Sequence, residues 1–162
     1  MGSDPGLYDL ADRVGHKLRA AERRIATAES CTGGWVAKVL TDIPGSSQWF
    51  ECGFVTYSNA SKTDLVGVPA ELIASEGAIS EAVARAMAEG ALRHAPADLA
   101  VSVTGLAGPG GGSVDKPVGL VWFGCLRRGR AAITLRRVFR GDRTEVRRAS
   151  VAQALELLRQ AI

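Results

Sequence analysis

Apolar residues recur along this chain in two periods. Leu7, Leu10, Ala11, Val14 and Leu18 share one face of a 3.6-residue repeat behind a polar Ser3-Asp4-Pro5 opening, which supplies a cap and a first-turn proline and predicts a helix. Arg24 to Glu29 is too short for a helix and reads as a buried strand. Helical spacing returns at Trp35, Val36, Val39 and Leu40 and stops at Pro44-Gly45. Gly53 to Ser58 is strand-like, and Ser61 to Val66 and Pro69 to Glu76 predict two short helical turns. Ser80-Glu81 then caps a longer helix whose apolar face includes Ala82, Val83, Met87 and Leu92. Leu99 to Thr104 is a second buried strand, running into the loop GLAGPGGGS. Val118 to Leu126 and Ala131 to Phe139 predict a hairpin around Arg127 to Arg130, and Arg143 to Ile162 a closing amphipathic helix.

Helices alternate with strands early and a hairpin comes late. The order predicts an α/β fold, a three-layer α/β/α sandwich whose central sheet is mixed: parallel where crossovers join strands, antiparallel at the hairpin. With 162 residues, 46% of them hydrophobic, and no repeat or linker, residues 1–162 read as one domain. The opening MGSDPG has no apolar stretch, and no apolar run approaches the roughly 20 residues of a membrane span, so the expectation is a soluble cytoplasmic protein with no membrane partner. Cys31, Cys52 and Cys125 lack CxxC spacing, which argues against a disulfide framework or a structural zinc site. The net charge of +3 is too small to imply a nucleic-acid partner. Arginines nevertheless crowd the last third, and Arg140 and Arg143, bracketing a strand-to-helix turn at Gly141-Asp142, are the best placed to meet a phosphate.

The candidate chemistry centres on TAESCTGGW, Thr27 to Trp35. Ser30 falls at a strand-to-helix joint, where open α/β sheets place ligands. The amides of Thr32, Gly33 and Gly34, at a helix N-terminus, could hold an oxyanion. The competing reading makes Ser30 a helix cap. Only His16 and His94 exist, both on helices with surface character, so a Ser-His-Asp triad is disfavoured and a serine-lysine pair takes its place. Lys62, where a strand ends in a polar turn, is the lysine expected to serve as base, provided its surroundings lower its pKa. Tyr57 just upstream could hydrogen-bond either partner. Cys31 is the rival nucleophile, with packing as its expected role. The glycine loop lacks the Lys-Ser/Thr pair of a P-loop and precedes a strand, so it fits neither ATPase nor dinucleotide fingerprint; Thr104 and Gly105 at its start are candidates for backbone approach to a ligand, or for the root of a flexible loop.

The segments TAESCTGGWVAKVLTDIPGSSQWFECGFVTYSNASK, GAISEAVARAMAEGA, SVTGLAGPGGGSVDKPVGLVWFG and FRGDRTEVR, in that order, resemble the CinA C-terminal domain family, the PncC-type nicotinamide-nucleotide amidohydrolases, from about Leu7 onward. The resemblance implies hydrolysis of the carboxamide of nicotinamide mononucleotide to nicotinate mononucleotide and ammonia in NAD recycling, without metal or organic cofactor, by a homo-oligomer. It implies that Ser30 is the nucleophile and Lys62 the general base, with Tyr57 in the catalytic set. Arg143 would support the site or the nucleotide phosphate. The family's usual SGIAGP stands here as TGLAGP, and the chain looks like the stand-alone form. The alternatives are a non-catalytic nucleotide-binding module, for which an intact Ser30-Tyr57-Lys62 set would be unnecessary, and a competence- or DNA-damage-related regulator.

Overall fold

The structure, a computed structural model, describes residues 4–162. Five strands, β1 (Ile25–Glu29), β2 (Phe50–Val55), β3 (Leu99–Gly105), β4 (Leu120–Arg127) and β5 (Ile133–Val138), form one sheet in the order β2-β1-β3-β4-β5. β1 pairs in parallel with β2 and β3, whereas β3–β4 and β4–β5 are antiparallel, so the sheet is mixed as expected. The parallel pairs are those whose connections carry helices; the hairpin turn is short enough for direct reversal.

Six helices cover the sheet: α1 (Pro5–Ala20), α2 (Trp35–Thr41), α3 (Asn59–Val66), α4 (Ala70–Glu76), α5 (Glu81–His94) and α6 (Arg143–Ala161). Alternation along the central strands divides the core in two. Ile25, Val101, Val103 and Phe123 face α1, α2 and α6, where they meet Leu18, Leu40 and Leu155. Ala26, Ala28 and Ala100 face α3, α4 and α5, where they meet Val66, Ile73 and Met87. The second layer is built from small residues because α5 lies close to the sheet. A Cβ on Gly124 would stand 2.5 Å from the Ala84 carbonyl oxygen, and the Ser102 hydroxyl donates to that same oxygen at 2.5 Å.

Asp4 caps α1 by accepting from the amides of Gly6 and Leu7, with Pro5 in the first turn; Ser3 of the expected opening, like Met1 and Gly2, lies outside the described residues. The strand expected over Gly53 to Ser58 runs instead from Phe50 to Val55. Its end follows from its partner's: β1 stops at Glu29, whose carbonyl accepts from the Thr56 amide, and no ladder partner exists beyond it. Thr56 to Ser58 are thereby released as a connection into α3, which Ser58 caps through Ser61. Among the described residues no helix is long and apolar enough to cross a membrane.

Candidate active site

The joint after β1 is a tight turn. The Ser30 amide donates to the Val103 carbonyl, which ties the turn to the central strand, and Gly33 and Gly34 both take positive φ, 58° and 94°. Gly34, not Ser30, is the N-cap of α2, and it has no capping side chain. The cap is supplied by the buried carboxylate of Glu29. It accepts from the Thr32 hydroxyl (2.6 Å) and from the amides of Gly34 (3.2 Å), Val36 (3.0 Å) and Ala37 (2.8 Å). A carboxylate at a helix N-terminus both fills its orphan donors and meets the positive end of its dipole.

This corrects the expectation for the turn. The Gly34 amide is taken by Glu29 and the Gly33 amide donates to the Ser30 carbonyl at 3.0 Å, so neither is open to an oxyanion; of Thr32 only the hydroxyl is held by Glu29. Among the described residues the amides of Cys31 and Thr32 have no backbone acceptor, and Cys31 lines the neighbouring cavity.

Freed from capping, the Ser30 hydroxyl turns toward α3. Lys62, one turn into α3 and only 1% exposed, places Nζ 3.1 Å from Ser30 Oγ. The same Nζ donates to the carbonyls of Thr56 (2.9 Å) and Tyr57 (3.3 Å). Burial pushes the lysine below its ordinary value of 10.5, opposed only by the Cys31 thiol. Lys62 Nζ donates to Ser30 Oγ, and the Ser30 hydroxyl in turn donates to the Tyr57 carbonyl at 3.5 Å. Cys31 is itself buried, and its thiol is pushed up to about 12, first by burial and then by the Glu29 carboxylate. A thiol so far from ionisation is a poor nucleophile.

Ser30 and Lys62 line a cavity of about 210 Å³, together with Tyr57, Asn59, Thr104, Gly105 and Arg143. Tyr57 does hold the pair, but through its main-chain carbonyl. Its phenol, 61% exposed, instead accepts from Arg143 Nη2 at 3.2 Å. Arg143 Nη1 donates to the Gly108 carbonyl at 2.7 Å, so this one side chain joins the β2–α3 connection to the glycine loop. Arg140 is exposed and does not line the cavity, which leaves Arg143 as its guanidinium. Thr104 donates its hydroxyl to the Ala78 carbonyl at 2.8 Å. Gly105 is required by the sheet itself: a Cβ there would lie 2.7 Å from the Val121 side chain. Gly105 thus packs closely on β4 and also lines the cavity. His16 and His94 are exposed and outside the cavity.

Two contributors were not foreseen. Glu29 carries a signal, a carboxylate ending an otherwise buried uncharged strand, IATAE. Arg147 follows Arg143 by one helical turn, donates to the carbonyls of Cys31 (3.1 Å) and Thr32 (3.2 Å), and lies over the Trp35 ring at 5.4 Å. It braces the turn after β1 from α6.

Comparison with known proteins follows the same outline. The model of the CinA C-terminal domain matches residues 7–162. The chain is 54% identical over 158 residues to the nicotinamide-nucleotide amidohydrolase PncC of Escherichia coli strain K12, covering 98% of this chain and 96% of that one. It is 50% identical to the protein of the same name from Pseudomonas putida, covering 97% of each. Its backbone superposes on the crystal structure of the competence/damage inducible protein CihA from Agrobacterium tumefaciens with a TM-score of 0.94, at 44% identity over 98% of this chain and 97% of that one.

Proposed function

The chain belongs to the CinA C-terminal domain family, and from that premise we propose that it is an amidohydrolase that converts nicotinamide mononucleotide to nicotinate mononucleotide and ammonia. The observation that carries the reading is the buried Lys62 amine on the Ser30 hydroxyl, an arrangement suited to acyl transfer without histidine.

The chemistry runs in two halves. Neutral Lys62 takes the Ser30 proton while Oγ attacks the carboxamide carbon, and the negative charge gathers on the carboxamide oxygen near the Cys31 amide. Collapse of that intermediate breaks the C–N bond, and Lys62 returns the proton to the departing nitrogen, which leaves as ammonia. Water, deprotonated by the same amine, then attacks the acyl-serine ester, frees the nicotinate carboxyl and restores Ser30. The substrate assists: its pyridinium makes the carboxamide more electrophilic, and a cation entering beside Lys62 disfavours the ammonium form further. Arg143, at the cavity mouth, would hold the ribose phosphate and orient the ring. Self-association and a place in pyridine-nucleotide recycling belong to the same reading.

The test is product identification. Purified chain incubated with nicotinamide mononucleotide should yield nicotinate mononucleotide and ammonia in equal amounts. Nucleotide binding with neither product would turn the reading to a non-catalytic binding module.

A further inference from the structure

Arg143 and Arg147 leave α6 one turn apart and reach different targets. Arg143 lines the cavity, whereas Arg147 does not. Its bonds go to main-chain oxygens of the turn that carries Ser30, Nε to Cys31 (3.1 Å) and Nη2 to Thr32 (3.2 Å). Ser30 to Gly33 is a β-turn, closed by the Gly33 amide on the Ser30 carbonyl. That bond fixes the ends of the turn and leaves its central peptide, between Cys31 and Thr32, without one. The Thr32 carbonyl also accepts from the Trp35 amide at 3.0 Å, but among the described residues the Cys31 carbonyl has Arg147 alone. The central peptide of the turn is thus held from a helix 116 residues along the chain.

The guanidinium is itself fixed. It is half-buried over the Trp35 ring, and among the described residues it has no carboxylate partner. At the Cys31 thiol, which burial pushes up to about 12, its charge acts in the opposite sense and favours an anion. A peptide group is a rigid plane, so a bond to the Cys31 oxygen also sets the Thr32 amide at the other end of that plane. We propose that Arg147 is a positioning residue for acyl transfer: it presets the backbone next to Ser30 in the geometry that the developing negative charge requires, and its own charge favours that development. The inference rests on the reading of Ser30 as nucleophile. Dipoles held in place beforehand need no reorganisation at the moment of reaction, so the effect falls on the transition state and not on substrate binding. A brace that only docked α6 on α2 would lower stability and leave the turnover of the folded chain alone.

The test compares the parent, Arg147→Ala and Arg147→Lys, each checked for folding by circular dichroism, in two reactions. One is ammonia release from nicotinamide mononucleotide, resolved into kcat and KM. The other is phosphonylation of Ser30 by a fluorophosphonate, followed by intact mass: Oγ bonds to phosphorus, fluoride leaves, and the phosphoryl oxygen gathers negative charge, so the turn is read without the amide substrate. Arg147→Ala should lower kcat and the phosphonylation rate together by about 10- to 100-fold, less than the loss of a direct donor, with KM within about threefold of the parent's. Arg147→Lys keeps the charge but not the fork; it should be about three- to tenfold slower than the parent in both reactions, and it carries the test alone should Arg147→Ala not fold. A folded variant as fast as the parent in both reactions, or a loss confined to KM, would overturn the assignment. A parent labelled at Ser30 that releases no ammonia would overturn the amidohydrolase reading, with the labelling rates still deciding for Arg147. A parent that is not labelled at Ser30 would overturn both.

Discussion

Lys62 Nζ stands 3.1 Å from Ser30 Oγ with two main-chain carbonyls, of Thr56 and Tyr57, to receive its other hydrogens. The pairing is directional in a way that a surface lysine never is. The carbonyls hold the nitrogen in place, burial disfavours its charge, and the Ser30 hydroxyl lies within hydrogen-bond reach.

Replacement of Lys62 by Met should therefore lower turnover by about 10²- to 10⁴-fold, the usual range for a general base, with nucleotide binding retained. Arginine should not rescue it, because a guanidinium does not deprotonate. Titration calorimetry beside an ammonia assay checks both; turnover within a few-fold of the parent would remove Lys62 from the base role.

The same lysine sets a pH dependence. Activity requires its neutral form, so kcat should rise with pH through a single ionisation below 10.5 and should lose that ionisation in Lys62→Met. Stability follows the same direction. With the folded value below the unfolded one, the unfolded chain binds more protons between them, so this group's contribution to stability grows as pH rises through that interval.

Cys31→Ala should keep activity within about threefold, and thiol alkylation of the parent should be slow, since a thiol raised to about 12 has almost no thiolate at neutral pH. Complete loss of activity in a folded Cys31→Ala chain would restore the thiol as a candidate nucleophile.

Arg143 is expected to act on the phosphate. Charge-assisted hydrogen bonds contribute about 1.5–3 kcal/mol, so Arg143→Ala should raise KM for nicotinamide mononucleotide at least roughly tenfold. The riboside, which lacks the phosphate, should be hydrolysed by parent and variant alike. Equal losses on both substrates would instead reduce Arg143 to bridging Tyr57 and Gly108.

Glu29→Ala leaves a buried hydroxyl and the first amides of α2 without an acceptor. A cost of at least about 3 kcal/mol is expected, read as a fall of roughly 10 °C in Tm. An unchanged Tm would show that water replaces the carboxylate.

How much of this was legible in the sequence depends on how local each cause is. The periods of α1, α5 and β3 are local, and so was the strand-to-helix joint that singled out Ser30. The choice of Lys62 rested on elimination among few lysines and on the family resemblance, and the structure sets it beside Ser30. What could not be read depended on partners distant in the chain. The end of β2 is dictated by the length of β1, and the occupancy of the Gly34 amide by where the Glu29 side chain turns. The exchange of roles within Tyr57, carbonyl to Lys62 and phenol to Arg143, needs α6 in place; Arg143 is 86 residues away. Arg147 was hidden among many surface arginines for the same reason.

The most direct test of the central claim is ammonia release from nicotinamide mononucleotide by the parent beside Ser30→Ala. The account predicts release by the parent and a loss of at least about 10³-fold in the variant, with its fold and nucleotide binding intact. Release by folded Ser30→Ala at a rate near the parent's would contradict it.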